Sequence, residues 1–132
     1  MLVVDASIMV MVATREAGSD EADRMVDGAV LAAPELVLAE VANALWKKAR
    51  TGGITRHEAA QAAKDINRMF TRLVPLRALQ DQALDLALRR DHPVYDCFYV
   101  ALAVREAVPL LTADRRLAQR FGGDVEVRLP AA

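Results

Sequence analysis

Aromatic residues make up only 5% of the chain, and cysteine occurs once, at Cys97. The first scarcity means that the core must be built mainly from Ala, Val and Leu, which suits packed helices. The second excludes an internal disulfide, and nothing else points to an oxidising compartment. There is no excess of either charge: 17 Lys and Arg stand against 18 Asp and Glu, for a net charge of −1. That balance argues against a general electrostatic binder of nucleic acid, though not against a local basic groove beside clustered acids. His57 reads as a solvent-facing helix residue and His92 as a pre-proline end residue; neither stands with Cys97 at zinc-ligand spacing. No internal repeat, low-complexity tract or Gly/Pro/Ser linker divides the 132 residues, so one domain is expected over 1–132. The apolar start, Met1 to Ala13, carries Asp5, has no basic leader and is too short to span a bilayer. A cytoplasmic protein with no membrane association is expected.

What is present alternates. Leu2-Val3-Val4 is a buried-strand run ending at Asp5, and Ser7 to Thr14 and Asp20 to Gly28 have the form of short helices. Val30-Leu31-Ala32 reads as a second strand stopped by Pro34. Glu35 to Arg50 is an amphipathic helix with Val37, Leu38, Val41 and Leu45 on one side. Thr55-Arg56-His57-Glu58 forms a capping box, which starts a helix running to about Leu73. Val74-Pro75-Leu76 suits an edge strand. Ala78 to Arg90 and Tyr95 to Ala107 are helical, Pro109 to Thr112 a strand, Asp114 to Phe121 a helix, and Val125 to Leu129 a last strand. Strands alternating with helices predict a parallel sheet covered on both faces, with chemistry beyond the carboxyl ends of the strands.

Four acids stand out in that frame. Asp5 directly follows the first strand and Asp114 the Leu110–Thr112 strand, so parallel pairing puts both on one rim; the alternative for each is a helix N-cap. Asp96 lies in Tyr95-Asp96-Cys97-Phe98-Tyr99-Val100-Ala101-Leu102-Ala103, where every other residue is apolar or aromatic. A carboxylate buried there needs a metal, a partner or a proton. Glu40 opens a polar stripe with Asn43, Lys47 and Arg50, but lies in the apolar first half of its helix. Carboxylates converging on one rim suit a hard cation, which lowers the pKa of a water and neutralises charge on a phosphodiester. Cys97 reads as a small packed thiol.

Val3-Val4-Asp5-Ala6-Ser7, Leu38-Ala39-Glu40-Val41-Ala42-Asn43-Ala44-Leu45, the Tyr95–Ala103 segment and Leu111-Thr112-Ala113-Asp114 resemble, in order and separation, the successive acidic motifs of PIN domains, and most of all those of the VapC toxins of type II toxin–antitoxin modules. The resemblance implies a three-layer α/β/α fold with a central, mainly parallel five-stranded sheet. It implies a magnesium- or manganese-dependent ribonuclease acting on RNA, single-stranded or structured. It also implies a homodimer and a cognate antitoxin whose tail occludes the acids. Asp5, Glu40, Asp96 and Asp114 match the catalytic and metal-binding quartet, and Ser7, Asn43 and Thr112 match its supporting polar positions. Cys97 stands where a small residue such as Ala is common.

Other functions fit less well. A phosphatase of the haloacid-dehalogenase type needs a second Asp two positions after the first, where Ser7 stands. A receiver domain needs a Lys after a late strand, which Leu111-Thr112-Ala113-Asp114 lacks. A PIN-like module that binds RNA or protein without cutting would be expected to have lost an acid, and all four are present. Lys47, Arg50, Arg115 and Arg116 are candidates for gripping RNA phosphates. The consecutive Ile8, Met9, Val10, Met11 and Val12, with the seam Ala60, Ala63, Ile66 and Phe70, point to an interface; the alternative is that both helices pack inside the domain.

Overall fold

In the computed structural model, which describes residues 1–131, Val3 and Val4 are completely shielded from solvent. They lie on β1 (Leu2–Val4), the middle strand of a five-stranded sheet. Its neighbours are β2 (Leu31–Pro34) and β4 (Leu110–Leu111), with β3 (Phe70–Val74) and β5 (Val127–Arg128) at the edges, in the order β3-β2-β1-β4-β5. Every pairing is parallel. Strands covered on both sides read as continuous apolar runs, as Leu2–Val4 and Leu110–Leu111 do. Val4 is in register with Leu111, so the residues that follow the two strands emerge side by side. Ala132, the last residue of the expected domain, lies outside the described residues.

The helices are α1 (Ala6–Ala13), α2 (Ser19–Val26), α3 (Leu36–Arg50), α4 (Arg56–Met69), α5 (Gln80–Arg90), α6 (Val94–Glu106) and α7 (Arg115–Phe121). α6 packs against β1, β2 and β4 and against α5, while α1 packs against α2, α3 and α4. Seven consecutive residues of α6, Cys97 to Ala103, are buried, as expected of a helix enclosed on all sides. The capping box at Thr55 is present: its hydroxyl accepts from the Glu58 amide at 3.0 Å, and Glu58 accepts from the Thr55 amide at 2.9 Å. Among the described residues no helix is long and apolar enough to cross a membrane.

Several sequence expectations are corrected. The helix after Thr55 stops at Met69, and Phe70 to Val74 pairs along β2 instead. The free edge of β2 offers hydrogen bonds, and Phe-Thr-Arg-Leu-Val is a good strand sequence, so tertiary pairing overrides helical periodicity. β2 ends at Pro34 as expected but runs over Leu31–Pro34, so Pro34 is itself its last paired residue, in register with Val74. A 3₁₀ turn over Leu76–Ala78 precedes α5, which therefore starts at Gln80. Leu38 is 40% exposed and does not belong to the buried side of α3, which is Val37, Val41 and Leu45. Most of the expected apolar interface is packed inside the chain, although Ala60 is exposed and Met11, Ala63 and Phe70 are half-buried. Ile8, Met9, Val10, Val12 and Ile66 are all buried within the chain, because α1 is enclosed by three other helices.

Candidate active site

Asp5 leaves the end of β1 as the N-cap of α1, its carboxylate accepting from the Ile8 amide at 3.3 Å. Two hydroxyls hold the same group. Ser7 Oγ donates to Oδ1 at 2.5 Å, and Thr112 Oγ1 donates to Oδ2. Each hydroxyl in turn accepts from the β4–α7 connection: Ser7 from the Ala113 amide at 3.1 Å, Thr112 from the Asp114 amide at 3.0 Å. The ends of β1 and β4 are thus tied together through one carboxylate. Asp114 sits beyond that knot, exposed, and caps α7 by accepting from the Arg116 and Leu117 amides. Both acids are caps as well as neighbours on one rim, so the two readings of the sequence coexist.

Glu40 is half-buried on α3, and the Tyr99 hydroxyl from α6 donates to its Oε1 at 2.6 Å. Tyr99 is only 2% exposed. Asp96, one turn before Tyr99, is less buried than its neighbours suggested: its side chain is 35% exposed. Its partner is His92 Nε2, 2.8 Å from Oδ2. The His92 ring is itself seated edge-on against Phe121, with centroids 5.1 Å apart. His92, expected to be no more than a pre-proline end residue, is thus a partner of Asp96, and Tyr99 carries no role in the sequence reading. The only available hints were a hydroxyl among apolar residues in α6 and a histidine four residues before Asp96.

Electrostatics link the acids. Burial, opposed by the hydrogen bonds from Ser7, Thr112 and Ile8, and raised further by the charge on Asp96, pushes the Asp5 carboxyl up to about 6. Glu40 is also held above the ordinary carboxylate range, first by burial and then by Asp96, with the Tyr99 bond acting the other way. The Tyr99 phenol is pushed far up by burial and by Glu40, so it remains a donor. Cys97 is pushed up to about 11 by burial and Asp96 and stays a packed thiol. Among the described residues no Lys or Arg forms an ion pair with Asp5, Glu40, Asp96 or Asp114. No three acid, histidine or cysteine side chains there stand close enough to enclose an ion as arranged. The donor set nevertheless fits a hard divalent cation in chemistry: all oxygen, mutually repelling and without a neutralising cation.

Two clefts flank this rim. One is lined by Ser7, Glu40, Asn43, Lys47 and Lys48; Asn43 is exposed there, and Lys48 is tied to Glu16 at 2.9 Å. The other, of about 650 Å³, contains Asp96, Asp114 and Arg116. Two of the expected RNA-binding residues lie elsewhere. Arg50 rests over the Trp46 ring, 5.1 Å from its centroid, and Arg115 lines a separate apolar hollow with Met11 and Leu129. On α3, Arg50 lies beyond the stretch that faces the acids. On α7, a one-residue step rotates Arg115 away from Arg116 by about a quarter-turn or more.

The chain matches the family model described as PIN domain over residues 2–121. It is 40% identical over 124 residues to Ribonuclease VapC3 of Pyrobaculum aerophilum, covering 91% of this chain and 94% of that protein. It is 36% identical over 132 residues to Ribonuclease VapC12 of Mycobacterium tuberculosis, covering 99% and 100%. A crystal structure of a protein from Pyrobaculum aerophilum superposes with a TM-score of 0.71 at 31% identity, over 94% of this chain and 81% of that one. A toxin–antitoxin complex from Klebsiella pneumoniae shares the fold alone, with a TM-score of 0.74 at 16% identity over 99% of this chain and 98% of that one.

Two stability predictions follow from these contacts. Asp5 ionises at about 6 in the folded chain against 3.8 ordinarily, so its charge opposes folding. The stability contributed by its neutral form is fully present below about pH 4 and is lost as pH rises through 6. The loss by pH 7 is about 3 kcal/mol. Without added metal, Asp5→Asn is therefore expected to melt above wild type at pH 7, with the gap closing towards pH 4; a gap independent of pH refutes the assignment. Tyr99→Phe removes the hydroxyl that donates to Glu40 and is expected to cost about 1–3 kcal/mol in urea unfolding.

Proposed function

Because the chain belongs to the PIN-domain family, we propose that it is a magnesium- or manganese-dependent endoribonuclease acting in the cytoplasm, the toxin of a toxin–antitoxin pair. Asp5, Glu40, Asp96 and Asp114 are its catalytic, metal-holding acids. The observation that carries this reading is the convergence of acids beyond the paired ends of β1 and β4, where Thr112 ties Asp5 to the start of α7 at Asp114 and, among the described residues, no Lys or Arg pairs with any of the four acids. Such an arrangement stores affinity for a cation rather than for a buried salt bridge. The bound ion would supply charge neutralisation at the scissile phosphate and an acidified water.

The remaining work falls to the chain itself. Ser7, Thr112 and the Ile8 amide fix the orientation of the Asp5 carboxylate, and Tyr99 does so for Glu40. His92 restrains Asp96 from one side. Asn43 and Lys47 line the cleft on the Glu40 side, where Lys47 offers a positive charge to the substrate backbone and Asn43 a neutral hydrogen-bonding group. Ordered carboxylates of this kind need little rearrangement when the reaction develops charge.

The purified protein is expected to cleave single-stranded RNA only with magnesium or manganese, leaving 5′-phosphate and 3′-hydroxyl ends. Asp5→Asn and Asp96→Asn are each expected to lose about a hundredfold or more in rate while remaining folded. Cleavage in EDTA that leaves a cyclic phosphate rules the mechanism out.

The toxin role includes a homodimer and a small cognate antitoxin. Exposed apolar side chains available for self-association include Leu84 and Leu88, one turn apart on α5 and 51% and 75% exposed, besides the isolated Trp46 and Tyr95. Sedimentation at micromolar concentration is expected to give a dimer, which Leu88→Glu weakens. Expression alone in a bacterial host should arrest growth, and Asp5→Asn should not. Growth unaffected by either form removes the toxin role, and a clean monomer removes the dimer.

A further inference from the structure

We propose that the cleft between the end of α5 and the face of α7 grips the phosphodiester backbone of the RNA on one side of the acids, through Arg116 and Arg120. The inference rests on the nuclease reading and deepens it by assigning the substrate a path. Arg89, Arg90, Arg116 and Arg120 line this cleft together with Asp96 and Asp114. Two of the arginines are already neutralised: Arg89 pairs with Asp85 and Arg90 with Asp124, each at 2.9 Å. Among the described residues Arg116 and Arg120 form no ion pair.

Their placement is built into the fold. Four residues apart, they stand one above the other on α7. That helix begins at Asp114, whose carboxylate binds the Arg116 amide at 2.9 Å, so the position of the arginines is referred directly to the acidic rim. Arg120 Nη1 donates to the Arg90 carbonyl at 2.8 Å, at the negative end of α5. This steadies the guanidinium and leaves most of its five donors free. A guanidinium meets a phosphate in a bidentate fork.

Charge explains why such a grip is needed. The chain carries a net −1 and offers a polyanion no general attraction, while the acids repel it. A substrate phosphate can approach the rim only where cations stand beside it. Lys47 supplies one on the Glu40 side, and Arg116 and Arg120 supply two on the Asp96 and Asp114 side. The strand then crosses the acids from one cleft to the other.

The test uses the full chain in EDTA, with fluorescein-labelled oligouridylate as the probe and anisotropy read across a range of KCl concentrations. Arg116→Gln with Arg120→Gln is expected to weaken binding about tenfold or more and to reduce the slope of log affinity against log salt by about 1.4. The doubly lysine-substituted protein should keep the wild-type slope, which separates charge from folding. Arg56→Gln with Arg68→Gln, which removes the same charge from α4, should leave it unchanged. A wild-type slope in the double Gln variant overturns the cleft assignment while leaving the nuclease reading intact. No binding of oligouridylate by wild type at low salt overturns the cleft assignment, while the nuclease reading stands or falls on cleavage with magnesium or manganese. Displacement of the RNA by polyglutamate at equal charge concentration reassigns the cleft to an acidic protein segment and overturns the proposal.

Discussion

The carboxylate of Asp5 is the tie between the ends of β1 and β4. Its two oxygens take the hydroxyls of Ser7 and Thr112, and those hydroxyls take the next two amides of the β4–α7 connection. Thr112 is fully buried and would be costly there without both of its bonds. Because α7 starts directly after this knot, the position of Asp114, and of every side chain on α7, depends on it.

The same carboxylate orders the rim while its charge opposes folding. Its burial raises its proton affinity, and the charge on Asp96 raises it further. An acid placed for structure alone would be given a basic partner, as Arg90 and Asp124 are. Here the hydrogen-bond donors are neutral hydroxyls and an amide, which orient the group without cancelling its charge. Glu40 follows the same rule, with a phenol as its donor. The site is ordered yet electrostatically unsatisfied, a combination suited to a cation that comes and goes.

Rigidity comes from α6. A helix buried over seven consecutive residues has no freedom to rotate, so Asp96 and Tyr99, one turn apart on it, are held in fixed relation to the sheet. His92 reaches back to Asp96 from before the helix and rests on Phe121 of α7. Asp96 is thereby braced through His92 against the apolar packing of α7, with no Lys or Arg taking part.

Much of this was written locally. An apolar run ending in an acid marks the carboxyl end of a strand, so Asp5 and the Thr112–Asp114 turn could be placed on one rim from the alternation of strands and helices alone. The Thr55 capping box was likewise legible, because it is a contact between residues three positions apart. What lay beyond reach depended on distant partners. Glu40 and Tyr99 are 59 residues apart, and periodicity gives the face a side chain occupies but not the group it meets. The end of α4 at Met69 was decided by the free edge of β2, and the burial of α1 by three helices around it. Nothing local marks Arg120, whose partner is the Arg90 carbonyl at the end of α5, 30 residues away. Local sequence encodes propensity, faces and caps; only the packed chain determines which unlike charges meet and which are left open.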